Sequence, residues 1–242
     1  MLLPKPQTID INIKDNNLNN LKIIHLSDLH INIKTTVLYL KELVNICNSI
    51  KADFIVITGD IIDCKVKYIS SKLDILNNFT KKVFYISGNH DLFYGLQDLK
   101  DILYKLTFLD NSYEIISFND NNICIVGLSD RFSKFFNHKR DTNKIKHLLN
   151  NQVSTILLAH QPKDYKIATQ TNTKLFLCGH THGGQIFPFH YFVKLFQPFL
   201  NGLFYKFDTA IYVNKGLGTW GINYRYKADA EISILNLTSN GI

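Results

Sequence analysis

Arginine is scarce in this 242-residue chain. Of 27 basic residues only Arg131, Arg140 and Arg225 are arginines, so lysine carries nearly all the positive charge. The lysine excess reads as solvated surface. Cysteine is scarce too. Cys47, Cys64, Cys124 and Cys178 show no paired spacing, which excludes a cysteine-rich zinc module and a disulfide scaffold. Each lies beside apolar residues, so four reduced, buried thiols are expected. Without a recognisable signal peptide, this predicts a reducing, cytoplasmic setting. No run approaches the roughly 20 apolar residues that span a bilayer. Met1-Leu2-Leu3-Pro4 is too short to anchor the chain.

What remains is ordinary for a folded protein, with 45% hydrophobic and 19% charged residues. Richness in Ile, Asn and Lys reads as a bias of genome composition. The formal net charge of +7 suits a phosphorylated substrate, nucleic acid or an anionic membrane, and selects none of them. The length fits one domain, 1–242, without repeats or a low-complexity linker.

Hydrophobic patterning gives strands alternating with helices. Strands are predicted over Thr8–Lys14, Leu21–Leu26, Asp53–Thr58, Lys82–Ser87, Tyr113–Phe118, Asn122–Leu128, Thr155–Ala159, Lys174–Cys178, Ala210–Val213 and Glu231–Leu237. Helices are predicted over Val37–Ile50, Ile69–Phe79 and Thr142–Asn150. The pattern predicts an α/β fold with a mixed sheet, whose chemistry gathers beyond the carboxyl ends of strands.

Five strand ends carry polar clusters. They are Ser27-Asp28-Leu29-His30, Thr58-Gly59-Asp60-Ile61-Ile62-Asp63, Ser87-Gly88-Asn89-His90-Asp91, Ala159-His160-Gln161-Pro162 and Gly179-His180-Thr181-His182-Gly183-Gly184-Gln185. Carboxylates and imidazoles suit Mn, Fe, Zn and similar ions, and no thiolate is offered unless Cys178 turns inward. Asp28 and His30, two apart, would point the same way from an extended segment. A carboxylate between two ions can bridge them, and two ions about 3.5–4 Å apart can clamp a phosphoryl group and activate water. Gly59, Gly88 and Gly179 would let the backbone turn sharply.

From about Leu21 to Leu237 the sequence resembles the calcineurin-like metallophosphoesterase superfamily. The segment Gly179 to Gln185 and the tail Tyr212-Val213-Asn214-Lys215-Gly216-Leu217-Gly218 look like its bacterial YkuE/YaeI-type branch. The resemblance implies a four-layer αββα sandwich of two mixed sheets. It implies two divalent metal ions, with Mn favoured over Fe, Zn or Mg. Asp28, His30 and His182 would hold the first, Asn89, His160 and His180 the second, and Asp60 would bridge them. His90 would contact the phosphate or protonate the leaving group, with Asp91 orienting it. The implied activity is hydrolysis of a phosphodiester or pyrophosphate.

Several residues stay open. Asp63 is read as a turn or supporting residue rather than a ligand, and His25 as a core histidine. His138 and His147 are read as surface residues, and Thr181 as a support for its loop. Arg225 is either a phosphate contact or a surface ion pair, and Arg131 is a second candidate substrate contact beside Asp130. The segment 186–207 is rich in Phe and Tyr. It is either an apolar cap over the site or ordinary core. As a cap it would suit a lipid-linked substrate such as UDP-2,3-diacylglucosamine, a lipid A precursor, with peripheral contact at the inner face of a membrane. Alternatives are a nucleotide or nucleic-acid phosphodiesterase, though no nucleic-acid module is evident, and a non-catalytic scaffold on the same fold. A protein Ser/Thr phosphatase fits less well, because that branch usually has Glu where Asp91 stands. The expected state is a monomer or weak dimer.

Overall fold

The computed structural model describes residues 3–152 and 154–239. In chain order the first half forms β1 (Gln7–Asn12), β2 (Lys22–Leu26), α1 (Val37–Ser49), β3 (Phe54–Thr58), α2 (Ser70–Leu73), β4 (Val83–Ile86), α3 (Asn89–Tyr94), α4 (Leu96–Ile102) and β5 (Thr107–Phe108). The second half forms β6 (Ser112–Phe118), β7 (Asn121–Gly127), α5 (Thr142–Asn151), β8 (Thr155–Leu158), α6 (Tyr165–Ala168), β9 (Thr173–Cys178), α7 (His190–Phe196), β10 (Gly202–Lys206), β11 (Thr209–Val213) and β12 (Ser233–Thr238). Two six-stranded sheets result, ordered β1-β12-β2-β3-β4-β5 and β10-β11-β9-β8-β7-β6.

The strand sequences explain the layering. β3 reads Phe-Ile-Val-Ile-Thr and is buried throughout, as a parallel strand covered on both faces must be. Its alternate residues go to different cores. Phe54 and Val56 meet Ile23, Phe84, Ile125, Ile156 and Leu177 between the two sheets. Ile55 and Ile57 face the other way, onto Leu40, Leu43, Val44 and Cys47 of α1. The outer face of the second sheet packs Val126, Leu157 and Phe176 on Ile145 and Leu149 of α5. The expected four-layer αββα sandwich of mixed sheets is therefore the observed fold.

Helix α1 shows the local logic. Thr36 caps it by accepting from the Tyr39 N–H at 3.2 Å. Leu40, Leu43, Val44 and Cys47 then fall on one face at helical spacing, each stabilising the fold by roughly 1–3 kcal/mol on burial. The helix expected over Ile69–Phe79 is shorter. α2 ends at Leu73, and a tight turn carries on to Asn78, where Asn77 donates to Asp74 and to the Ile102 carbonyl. The first strand, β1, lies on an edge and pairs parallel with β12.

Three features set up the site. β2, β3 and β4 run parallel, as do β7, β8, β9 and β11. Their carboxyl ends meet at one edge of the sandwich. Backbone bonds beyond the strands then tie the loops together. Asp28 donates to the Gly59 carbonyl at 3.0 Å, Gly179 to His160 at 3.0 Å, and Leu217 to Ser27 at 3.0 Å.

Candidate metal centre

The polar strand ends converge. Asp28, His30 and His182 form one group of donor atoms lying within 4.8 Å of each other, and Asp60, His160 and His180 form another. His30 Nε2 is 3.0 Å from His182 Nε2, and His182 Nε2 is 3.5 Å from Asp28 Oδ1. His160 Nε2 is 3.2 Å from Asp60 Oδ2 and 3.1 Å from His180 Nδ1. Asp60 Oδ2 also lies 3.8 Å from His30 Nε2, so this carboxylate stands between the two groups. His30, Asp60 and His90 form a third group. Asn89 is buried, and its Oδ1 has no hydrogen-bond partner. An orphaned buried acceptor is costly unless something positive meets it. The donors are oxygen and imidazole nitrogen, which fits a pair of divalent cations.

The backbone is held in an unusual form to do this. Asp28, His30, Asp60, His180 and His182 all have positive φ, between 45° and 71°. Side chains other than glycine rarely adopt that region, and each costs of order 1 kcal/mol or more. The Asp-x-His pair therefore does not sit on an extended segment, as its spacing suggests. Two left-handed residues turn both side chains inward instead. Close approach explains Gly179, where an added Cβ would fall on the Ser27 hydroxyl and the Asp28 carboxylate. A Cβ on Gly88 would strike Asp60 in the same way.

Electrostatics follow from burial and from charge. Burial opposes ionisation of Asp60, but His160 beside it, with His30 and His90, holds its carboxyl well below the usual range. Burial raises the Asp28 carboxyl. Burial and the neighbouring His160 lower His180 to about 4, and burial with His30 and Arg225 lowers His182 well below its ordinary value. Neutral imidazoles at His180 and His182 and an ionised Asp60 are forms that bind metal. Burial opposes a charge on His160, but Asp60 and Asp28 raise it well above its ordinary value, so an ion bound there would displace its proton.

A family model for the calcineurin-like phosphoesterases matches residues 21–184. The chain belongs to that family. It is 37% identical over 241 residues to the uncharacterized metallophosphoesterase Cj0846 of Campylobacter jejuni, covering 97% of this chain and 63% of that one. It is 32% identical over 255 residues to the uncharacterized metallophosphoesterase YkuE of Bacillus subtilis, covering 99% and 86%. The chain spans about three fifths of the length of the first curated relatives it matches. NAD nucleotidase of Haemophilus influenzae shares the fold, with a TM-score of 0.57 at 16% identity over 81% of this chain and 45% of that one.

Several residues of this calcineurin-like chain sit otherwise than the sequence suggests. Asp91 does not orient His90. It is fully buried and accepts from the N–H groups of Gly88, Ile61 and Ile62 at 2.8–3.1 Å, tying two ligand loops together. Asp63 takes the orienting place, with Oδ1 2.7 Å from His90 Nδ1. The spacing Gly59-Asp60-x-x-Asp63 was the signal for it. Burial opposes the His90 charge, but the bond to Asp63 and the nearby Asp60 raise its pKa above the ordinary value.

Arg225 is neither a phosphate contact nor a surface ion pair. Its guanidinium donates to the carbonyls of Gly218, His182, Ala228, Lys215 and Gly216, and lies 3.1 Å from His182 Nδ1. With its donors spent on backbone, it clamps the loop behind His182. Arg131 is likewise engaged, 2.7 Å from the buried Asp164 that Arg140 also meets at 2.7 Å. Cys178 is buried, its Sγ is 3.7 Å from the Tyr212 carbonyl, and burial pushes its thiol well up, so it is no ligand. Cys64 is only half-buried, unlike the other three cysteines.

His25 is fully buried, with Nε2 2.9 Å from Thr58 Oγ1, and burial lowers its pKa to about 3. From Thr58 the chain of hydrogen bonds continues through Ser27 to Asp28 at 2.8 and 2.6 Å. His147 is exposed, while His138 is half-buried and pairs with Asp110. Thr181 donates to the Leu200 carbonyl, fixing the loop between His180 and His182.

A cavity of about 310 Å³ opens over the cluster. His90, His180 and Asp60 line one side, and Phe189, Phe192 and Phe196 of α7 the other. The segment 186–207 is therefore mostly a wall. No residue of α7 is buried; beyond it Phe199 joins the outer core of the second sheet, and Leu203 and Phe204 of β10 pack against the cores.

Proposed function

We propose that this chain is a dinuclear-metal phosphoesterase that hydrolyses a phosphodiester or pyrophosphate carried on a lipid-linked substrate such as UDP-2,3-diacylglucosamine. The observation that carries the reading is the place of Asp60, an ionised carboxylate shared between two donor groups beneath an aromatic wall. Asp28, His30 and His182 would hold one ion, Asn89, His160 and His180 the other, and Asp60 both. Bound there, two divalent ions would supply charge neutralisation of the phosphoryl group and an acidified water. Mn is the favoured ion, with Fe, Zn or Mg as alternatives.

The chain's own residues supply the rest. Asp63 engages His90 Nδ1, which leaves Nε2 to give a proton to the leaving oxygen. The raised His90 pKa favours the protonated form that this role needs. Asp91 holds the Asp60 loop against the Asn89–His90 loop, so the bridging carboxylate and the acid keep their spacing. Phe189, Phe192 and Phe196 would take the apolar part of the substrate.

The test is hydrolysis of bis-p-nitrophenyl phosphate with added Mn²⁺, together with metal analysis. Asp60→Ala is expected to lose bound metal and at least about a thousandfold in kcat/KM. A fully active Asp60→Ala variant would remove the two-metal reading. A panel of UDP-linked lipids, nucleotides and nucleic acid then decides the substrate class, and preference for a nucleotide lacking any lipid would overturn the finer claim.

A further inference from the structure

Three segments lie about the metal cavity: 186–207 and 215–228 line it through α7 and Trp220, and 131–140 packs on Phe93, which contacts His90. The chain carries 20 acidic residues, and none lies in these segments. Phe199, Leu217 and Ala228 are buried, but many of the other aromatic and aliphatic side chains face solvent. Leu195 is 77% exposed, Phe135 68%, Ile222 66% and Tyr191 62%.

The segments lie together. Phe187 donates its N–H to the Tyr226 carbonyl, and Gln185 holds the carbonyls of Trp220 and Ile222, so α7 and the 219–226 loop form one wall. On the opposite side His90 contacts Phe93, whose ring packs on Phe132 and Phe136. Lysines are set among these rings. Lys134 lies over Phe135 at 4.8 Å, Lys227 over Phe187 at 4.8 Å, and Lys194 projects from α7 itself. Among the described residues none of these three makes an ion pair.

A short helix with no buried residue, stacked aromatics and only basic charge does not stabilise the fold by packing. Burial of its aromatics elsewhere would be favourable. Lysine mixed with aromatic and aliphatic side chains is the composition that seats in the headgroup region of an anionic bilayer. We infer that this rim is a docking surface for an anionic lipid bilayer, seating the cavity mouth against the membrane. The surface stands on exposure and charge alone, and only its use in delivering substrate rests on the proposed phosphoesterase activity. Among the described residues no helix is long and apolar enough to cross a membrane.

Co-sedimentation of the whole chain with vesicles tests this. The chain should bind vesicles containing about one third phosphatidylglycerol at least about tenfold more tightly than phosphatidylcholine alone. Tyr191→Ser combined with Leu195→Ser should lower that binding by about tenfold or more, and Lys194→Glu by about fivefold. Neither Tyr191 nor Leu195 lines the cavity, so the double variant should hydrolyse soluble bis-p-nitrophenyl phosphate at the parental rate. Equal binding to both vesicle types, or unchanged binding in the double variant, would overturn the inference. So would a dimer in sedimentation velocity that Leu195→Ser disperses, since the rim would then belong to a second copy. Vesicle binding needs no turnover. A chain that binds vesicles but hydrolyses nothing defeats the activity alone, and a chain that hydrolyses the diester but ignores vesicles defeats the docking alone.

Discussion

The metal cluster and the aromatic wall beside it are built on opposite terms. Asp28 and His160 are fully buried, and Asp60 and His182 are nearly so. Each of these four is fixed by strand ends, close glycines or backbone bonds. The wall, a few ångströms away, has α7 with no buried residue. The cluster holds titratable groups in strained backbone because the two sheets over-determine their positions. The wall is held mainly at its ends, by Gln185, Thr181 and Phe199, and its outward side chains are free of packing constraints. The difference teaches where tolerance lies. Groups that need a fixed donor geometry sit in the interior, and the proposed recognition of something apolar would fall on a surface the core does not constrain.

The comparison can be broken most directly at His90, which belongs to the cluster but lies at its rim. His90→Ala should slow turnover by roughly 10²–10⁴-fold while metal content, read by elemental analysis, stays at the parental level. Loss of metal in that variant would make His90 a ligand within the group it forms with His30 and Asp60.

Two glycines sharpen the contrast in stability. Gly179→Ala would drive a Cβ into Ser27 and Asp28, so urea denaturation should show a loss of about 3 kcal/mol or more. Gly202→Ala in the wall meets nothing within 4 Å, although its φ is +93°. It should lose only about 1 kcal/mol, the strain of that backbone region. Similar losses at both positions would show that the wall is as tightly determined as the cluster.

Arg225 joins the two regions, and Arg225→Met should expose how. Removing its donors strands five carbonyls and should lower stability by about 2–3 kcal/mol in the same assay. Metal affinity should fall with it, because His182 loses its support. Unchanged metal affinity would mean the loop needs no clamp.

The smallest effect concerns pH. Asp63, held at a pKa of about 2, raises that of His90, and in the proposed reaction His90 would act as an acid only while protonated. Activity should therefore fall as pH rises through the His90 pKa. Asp63→Asn removes the charge that raised it, so the alkaline limb of the pH–rate profile should move to lower pH by about one unit. Asp91→Asn, by contrast, should leave that limb in place while weakening the loops. A shift in the Asp91 variant and none in the Asp63 variant would restore Asp91 as the orienting group.

Sequence patterning by itself settled the α/β alternation and the inventory of polar strand ends, while the four layers came with the family resemblance. The runs at β2, β3, β4, β8 and β9 are too continuously apolar for a one-sided sheet, and their spacing by helices imposes parallel order. Polar residues placed just after such strands are carried to one edge whatever the details, and the family resemblance then singled out Asp28, His30, Asp60, Asn89, His160, His180 and His182 among them. Partners that depend on loop geometry were not legible. Asp63 and Asp91 are both carboxylates near His90 in sequence, and only the turn of α3 sends Asp91 inward to three N–H groups and leaves Asp63 to face the imidazole. Arg225 is 43 residues from His182, and no local pattern says that its guanidinium will meet backbone carbonyls instead of solvent. The aromatic segment was ambiguous for the same reason, since Phe and Tyr serve equally in a core or on a rim. Burial is a property of what the rest of the chain places around a side chain, so tertiary structure alone could set α7 outside.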